Sequence, residues 1–269
     1  MAGRVTKARR PPVVVTRPLA QALALQQKIA ATGREAIIFP LLEIHALDDP
    51  SALDAALAAL DRFALVAFVS PNAIDAAFAR RADWPVSVPL AVMGEGSRQA
   101  LAAHGVTAAT TRIFSPLDAE RTDSQTLLAA LDLPALANRA VLILRGESGR
   151  ELLADALAAA GAQVTQVAAY RRAAPRLDAA GVAQLQHLLA SGCDWIITSS
   201  EALQILVRLV EQAGSAQPGQ DIVAKLKQQR LIVPHVRIAE TAQALGFCNV
   251  IRTASGDERL LAALQFPND

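Results

Sequence analysis

The chain has 269 residues, 52% of them apolar, 19% charged and 4% aromatic, a length that suits one large α/β unit or two domains of about 100–150 residues. So high an apolar fraction excludes wholesale disorder, and no run reaches the roughly 20 apolar residues of a membrane span. The formal charge is +1, but residues 1–10 hold Arg4, Lys7, Arg9 and Arg10 and no acid, so the rest of the chain stands at −3 and makes a poor duplex-binding surface.

The basic tail over 1–11 reads either as a solubilising terminus or as a contact for nucleic acid, and no apolar core follows it as in a secretory signal. A β-branched run then predicts a strand at 12–16, followed by a helix over 19–32 and a strand at 36–39. Strands at 65–70 and 90–93 alternate with helices at 73–81 and 97–104, and a helix at 124–131 leads to a strand at 141–145. The predicted helix 151–160 sets Leu153, Leu157 and Ala160 at i, i+4 and i+7 as a stripe for a sheet face, with Arg150 and Asp155 elsewhere on its surface. Strands at 164–170, 195–198 and 230–233 and helices at 201–212 and 239–245 complete the pattern, and the stretch AGSAQPGQ at 213–220 reads as a surface loop. Alternation of this kind implies parallel sheets covered on both faces, an α/β protein.

A weak internal repeat sharpens the organisation. Val14-Val-Thr-Arg17 resembles Ile143-Leu-Arg-Gly146, and each is followed by a helix and a glycine. Phe68-Val-Ser-Pro-Asn-Ala-Ile74 resembles Ile197-Thr-Ser-Ser-Glu-Ala-Leu203, and Val92-Met-Gly94 with its helix resembles Val233-Pro-His235 with its own. The offsets nearly match, 54 residues from Val15 to Val69 and 53 from Leu144 to Ile197. Two similar α/β domains follow.

The strand ends share a device. Thr16-Arg17-Pro18, Ser70-Pro71-Asn72, Gly146-Glu-Ser-Gly149 and Thr198-Ser-Ser200 put hydroxyl, glycine or proline where a strand turns into a helix. Pro71 suits the first helical position after a Ser70 cap, and Ser148-x-x-Glu151 and Thr198-x-x-Glu201 read as capping boxes. Ligands bind beyond the carboxyl ends of parallel strands, and helix N-termini there favour anions. With Arg17 and Arg145 added, such ends from two domains would line a cleft for a polycarboxylate or phosphate ligand. Nucleotide motifs are poor: Gly94-Glu-Gly96 begins a GxGxxG whose third glycine position is Gln99, and neither a P-loop nor a GxSxG occurs. His45, His104, His187 and His235 lack metal spacing, and Cys193 and Cys248 form no CxxC, so neither a structural zinc site nor a disulfide framework is expected and a reducing cytoplasm fits best. Tyr170, the only tyrosine, is open to two readings: a phenol that donates a hydrogen bond to a leaving group, or an interfacial residue packing one domain on the other.

Taken in order, these residues resemble the uroporphyrinogen-III synthase family. The resemblance covers roughly 12–265 and rests on Val15-Thr-Arg-Pro18, Phe39-Pro-Leu-Leu-Glu-Ile44, Phe68-Val-Ser-Pro-Asn-Ala73, Val92-Met-Gly94, Ile143-Leu-Arg-Gly-Glu147, Tyr170-Arg-Arg172 and Ile197-Thr-Ser-Ser200. It implies two similar parallel-sheet domains joined by a two-stranded connector. The first, discontinuous, comprises 1–37 and 173–269, the second 46–165, and the connectors 38–45 and 166–172.

The implied reaction is cyclisation of hydroxymethylbilane to uroporphyrinogen III, with loss of water and inversion of ring D through a spiro intermediate. Pyrrole nitrogens expel the hydroxyl, so no cofactor or metal is expected, and catalysis is mostly positioning against the spontaneous, uninverted path. By resemblance Tyr170 is the proton donor to the leaving hydroxyl, and Ser70, Thr198 and Ser199 lie near the substrate carboxylates. Asn72, Gly94 and Gly146 join them as substrate-binding positions, and Arg17 and Arg145 add charge complementarity. Where many relatives have a Gly-Pro-Thr/Ser-like turn, this chain reads Val233-Pro-His-Val-Arg237, which makes Arg237 the replacement contact. A cytoplasmic monomer follows, taking its substrate by transient hand-over from the preceding enzyme, with no nucleic-acid or membrane partner. The alternative is a non-catalytic bilobal binding module for a small polyanion.

Overall fold

The computed structural model describes residues 10–116, 124–149, 151–215 and 222–265. Residues 1–9 of the basic tail, Arg150 and positions 216–220 of the expected surface loop lie outside the described residues. The chain divides into two compact units, Met1–Glu43 with Ala174–Asp269, and Ile44–Ala173.

The first unit opens with β1 (Val13–Val15), α1 (Leu19–Ala31) and β2 (Ala36–Ile38). The second begins at β3 (Glu43–His45), whose first residue is still assigned to the first unit, and continues through α2 (Ser51–Ala58), a 3-10 turn at Leu60–Arg62, β4 (Leu65–Phe68) and α3 (Pro71–Phe78). Next come β5 (Leu90–Val92), α4 (Glu95–Ala103), β6 (Ile113–Phe114), α5 (Ser124–Ala129) and α6 (Leu133–Leu136). β7 (Ala140–Gly146), α7 (Leu152–Ala159) and the long β8 (Gln163–Ala173) finish that unit. The chain then completes the first unit with α8 (Ala179–Ala190), β9 (Asp194–Ile196), α9 (Ser200–Ser215) and α10 (Ile222–Lys227). Its last elements are β10 (Arg230–Val233), α11 (Val236–Ala244), β11 (Asn249–Arg252) and α12 (Asp257–Gln265).

In the first unit the sheet order is β11-β10-β9-β1-β2, parallel throughout. In the second it is β3-β8-β7-β4-β5-β6, parallel from β8 to β6. Central strands are buried on both faces, which is why they read as unbroken apolar runs rather than alternating ones. In the first unit Val13, Val15, Ile196 and Ile232 pack under α1 and α12, while Val14, Trp195 and Ile197 face the helices that follow β8 up to α11. In the second, Phe68, Leu144 and Tyr170 share a core with Ile74, Phe78 and Leu101, and Leu65 and Ile143 share the other with Leu153 and Leu157. Each large side chain so buried is worth about 1.5–3 kcal/mol.

Both sheets follow the doubly wound order 2-1-3-4-5. In the first, β1 and β2 supply the opening pair and β9–β11 the other three. In the second, β7 and β8 supply the opening pair and β4–β6 the rest. The repeated segments therefore occupy matching places: β1 corresponds to β7, β4 to β9 and β5 to β10. Each sheet is built from the opening strands of one repeat and the closing strands of the other. The order of strands reverses between β1 and β9 in one unit, and between β7 and β4 in the other.

At the amino end of the first sheet, Arg34 and Arg230 clasp Asp194 at 2.8 and 3.1 Å, and the Arg34–Asp194 pair is almost wholly buried. Arg34 also donates to the carbonyls of Leu264 and Pro11. The terminal nitrogens of Arg34 are hydrogen-bonded, which offsets the cost of burying the pair, while its buried Nε has no partner among the described residues.

Candidate functional site

In the second unit the reversal point is lined by neutral hydroxyls. Ser70 follows β4 and caps α3, its Oγ accepting the Ala73 N–H at 3.2 Å with Pro71 in the first turn, as expected from sequence. The same Oγ lies 3.0 Å from the phenol oxygen of Tyr170. Tyr170 is only 5% exposed and belongs to the core of its own unit, with its ring against Gly146. A methyl group on Gly146 would stand 3.1 Å from the ring carbon bearing the hydroxyl and 3.3 Å from the oxygen itself. The close approach is what demands glycine at the end of β7.

A bulge places the tyrosine. β7 and β8 pair regularly up to Arg145 opposite Ala168, after which Gly146 stands opposite Tyr170 and Ala169 is the extra residue. Val167 and Ala169 face one core by strict alternation, and the bulge turns Tyr170 to the same side. The Glu147 N–H then donates to the Tyr170 carbonyl and closes the irregularity. Gly94 precedes α4, its carbonyl accepting the Ser97 and Arg98 amides, and Gly96 of that helix approaches Pro71. The starts of α3 and α4 are thus neighbours. Asn72 sits half-buried in the first turn of α3.

Arg145, beside this pair, has its guanidinium on Glu151 at 2.7 Å and on Gln166. Hydrogen bonds from Gln166 and then Arg145 hold the Glu151 carboxyl below the usual range. The capping box expected at Ser148 and Glu151 does not form, because that carboxylate is drawn to Arg145 and Gln166, while Ser148 accepts from Arg172 through both its carbonyl and its hydroxyl.

The matching place in the first unit is charged. Arg17, just past β1, donates to Asp257 at 2.7 Å, and Lys28 of α1 reaches the other oxygen of the same carboxylate at 2.7 Å. Burial pushes the Asp257 carboxyl up, but its bonds to Lys28 and Arg17 outweigh this and hold it below the ordinary value. Thr16 donates to the Ile196 carbonyl and ties β1 to β9. A simple cap one residue later replaces the other expected capping box: Ser199, not Thr198, accepts the Ala202 N–H at 3.0 Å at the start of α9, and Thr198 remains half-buried before it. Arg237 is exposed in the first turn of α11. Cys193 is buried, and its thiol is pushed up by desolvation and then by Asp194 and Glu35, which disfavours the thiolate.

Among the described residues no three His, Cys, Asp or Glu side chains converge as a metal ligand set would require, and no helix is long and apolar enough to cross a membrane. Sequence reasoning missed Asp257 and Gln166, and gave Glu151 a capping role in place of its pairing with Arg145. Asp257 follows Ser255-Gly256 at a helix start, a signal that was present, but nothing local ties it to Arg17 across 240 residues.

Known proteins match nearly the whole chain. The family profile described as uroporphyrinogen-III synthase HemD matches residues 24–262. The uroporphyrinogen-III synthase of Salmonella typhimurium is 33% identical over 258 residues, covering 94% of this chain and 99% of that protein. This chain belongs to the uroporphyrinogen-III synthase family. The Escherichia coli uroporphyrinogen-III synthase is 32% identical over 260 residues, with the same coverage. Two solved uroporphyrinogen-III synthases share the fold. That of Helicobacter pylori has a TM-score of 0.57 at 14% identity, covering 95% of this chain and 98% of its own. A mutant of the Thermus thermophilus protein has a TM-score of 0.56 at 17% identity, covering 94% and 96%. At such identities these two speak for the architecture, whereas the Salmonella and Escherichia relatives, aligned almost from end to end, carry the family assignment. A uroporphyrinogen-III synthase with this architecture offers hydroxyls and glycines beside an ion pair at one reversal point and ions alone at the other.

Proposed function

We propose that this chain is a lyase that cyclises hydroxymethylbilane to uroporphyrinogen III with inversion of ring D, in tetrapyrrole biosynthesis. The observation that carries this is family membership along nearly the whole chain. The geometry of the second unit supports it with a phenol that sits beside a hydroxyl and two helix starts. In this reading Tyr170 protonates the departing hydroxyl, and the pyrrole nitrogen supplies the electrons that expel it. Asn72, Gly94 and Gly146 of the second unit, and Thr198, Ser199 and Arg237 of the first, serve as contacts for substrate carboxylates, with Ser70 beside them near the reacting group. Arg17 and Arg145 already hold carboxylates of the protein, so substrate acetate or propionate groups compete with Asp257 and Glu151 for them. The reading includes a cytoplasmic monomer that draws its substrate directly from the enzyme before it.

Incubating the pure protein with hydroxymethylbilane and resolving the product isomers tests the proposal. Isomer III is expected to exceed the spontaneous isomer I, and product of isomer I alone overturns the assignment. Stabilisation by the bilane without conversion is the outcome the binding-module reading requires.

A further inference from the structure

A phenol can give its proton to a substrate only if that proton is not already given to a neighbour. Tyr170 has such a neighbour in Ser70, 3.0 Å away, and the distance alone leaves the direction of the bond open. Accounting of donors and acceptors leaves Ser70 Oγ one proton and one lone pair for this contact. A serine hydroxyl has one proton and two lone pairs, and one lone pair of Ser70 Oγ is taken by the Ala73 N–H at the start of α3. That contact draws electron density from the oxygen and strengthens its own O–H as a donor. The helix dipole also favours negative charge on the groups near this end.

We infer that Ser70 is a positioning residue that donates to the Tyr170 oxygen, thereby turning the phenol proton outward and holding the phenolate once that proton has gone. The inference rests on the proton-donor reading of Tyr170 proposed above. In the first step the C–O bond of the hydroxymethyl group breaks and its electron pair leaves with the oxygen. That oxygen takes the phenol proton and departs as water, while the pyrrole nitrogen lone pair forms the new double bond of the azafulvenium. The phenolate left behind keeps the hydrogen bond from Ser70. The proton released when ring closure restores the pyrrole returns to the phenolate, so the pair ends as it began. Gly146 on the ring and the bulge at Ala169 keep the phenol within reach of Ser70 throughout.

Substitutions that keep the helix cap but change the donor separate this role from capping. Aspartate caps as well as serine but only accepts, so in Ser70→Asp the phenol proton turns inward. Ser70→Asp is expected to lower kcat by about tenfold or more, and Ser70→Thr, which retains both cap and donor, to restore most of the rate. In a Tyr170→Phe background Ser70→Asp should add little further loss, since the two residues act as one unit. Because the chain has one tyrosine, carbon-13 labelling yields a single resonance for the ring carbon bearing oxygen. It should shift in Ser70→Asp and stay near its original position in Ser70→Thr. An equal loss from Ser70→Asp with and without the phenol, or a full rate in Ser70→Asp, overturns the inference. An unchanged rate in Tyr170→Phe alone overturns the proton-donor reading instead.

Discussion

The two sheets share one winding order, yet their reversal points hold opposite chemistry. In the second unit Ser70, Tyr170 and Gly146 form a neutral hydroxyl pair over a glycine, with two helix starts beside it. In the first, Arg17, Lys28 and Asp257 meet as ions that satisfy one another. The same topological position can thus present a hydroxyl pair, with the Arg145–Glu151 ion pair beside it, or be filled by ions that satisfy one another. Position in an α/β sheet says where a site can be, and only the side chains say which of two such places reacts.

Breaking the comparison begins with the largest effect. Asp194→Ala leaves Arg34 and Arg230 facing each other in the interior of the first unit, at an expected cost of about 3–5 kcal/mol. The two tryptophans fall one in each unit, Trp84 and Trp195. Denaturation followed by Trp195 fluorescence in a Trp84→Phe background should show a lower midpoint, while amide exchange in β4 and β7 stays slow; equal loss in both units would deny that the clasp serves the first alone. Next, Tyr170→Phe should cut kcat by about a hundredfold or more with product affinity little changed. A change in affinity alone would make the phenol a packing group. Gly146→Ala must displace the phenol ring, so kcat should drop more than KM rises, with about 1–3 kcal/mol lost from overpacking in the second unit. Full activity would mean that the ring has room to retreat.

The smallest effect is the dependence on pH in the first unit. The Asp257 carboxyl is held below its unfolded value, about 3.9. The stability it contributes is therefore full well above that value and is lost as pH falls through the lower, folded one. Thermal midpoints of the wild type and Asp257→Asn should differ at neutral pH and converge in acid once pH has fallen through the lowered, folded value. A gap that persists there would mean that the carboxylate charge is not what Arg17 and Lys28 require.

Much of the architecture is legible in residue patterns because parallel strands leave a plain mark. Val13–Val15 and Val141–Leu144 are apolar on both faces, so the α/β class and the alternation of elements could be read directly. Elements without that mark were missed. β6 has two residues, and α8 begins beside Gly181 in an alanine-rich stretch, though its Asp178 cap and the Leu185, Leu188 and Leu189 stripe were present. Within the candidate site, Tyr170 and Ser70 stand out as residues but not as partners. Their hydrogen bond depends on a bulge inside Val167-Ala-Ala-Tyr170, where two alanines give no sign of which face each takes. The pairing of Arg17 with Asp257 joins segments that only the completed sheet brings together.

That neither sequence repeat owns a whole sheet has a consequence for the order of synthesis. When β8 leaves the ribosome at Ala173, every strand of the second sheet has been made. β1 and β2 by then have been out for more than a hundred residues, yet β9, the next partner of β1, starts only at Asp194. At about 5–20 residues per second, the valine-rich edge of β1 that will meet β9 stays unpaired for roughly ten seconds or more. The first segment to emerge is among the last to be folded, and a nascent chain stalled before Asp194 would present a finished second unit tethered to a sticky, unfinished first.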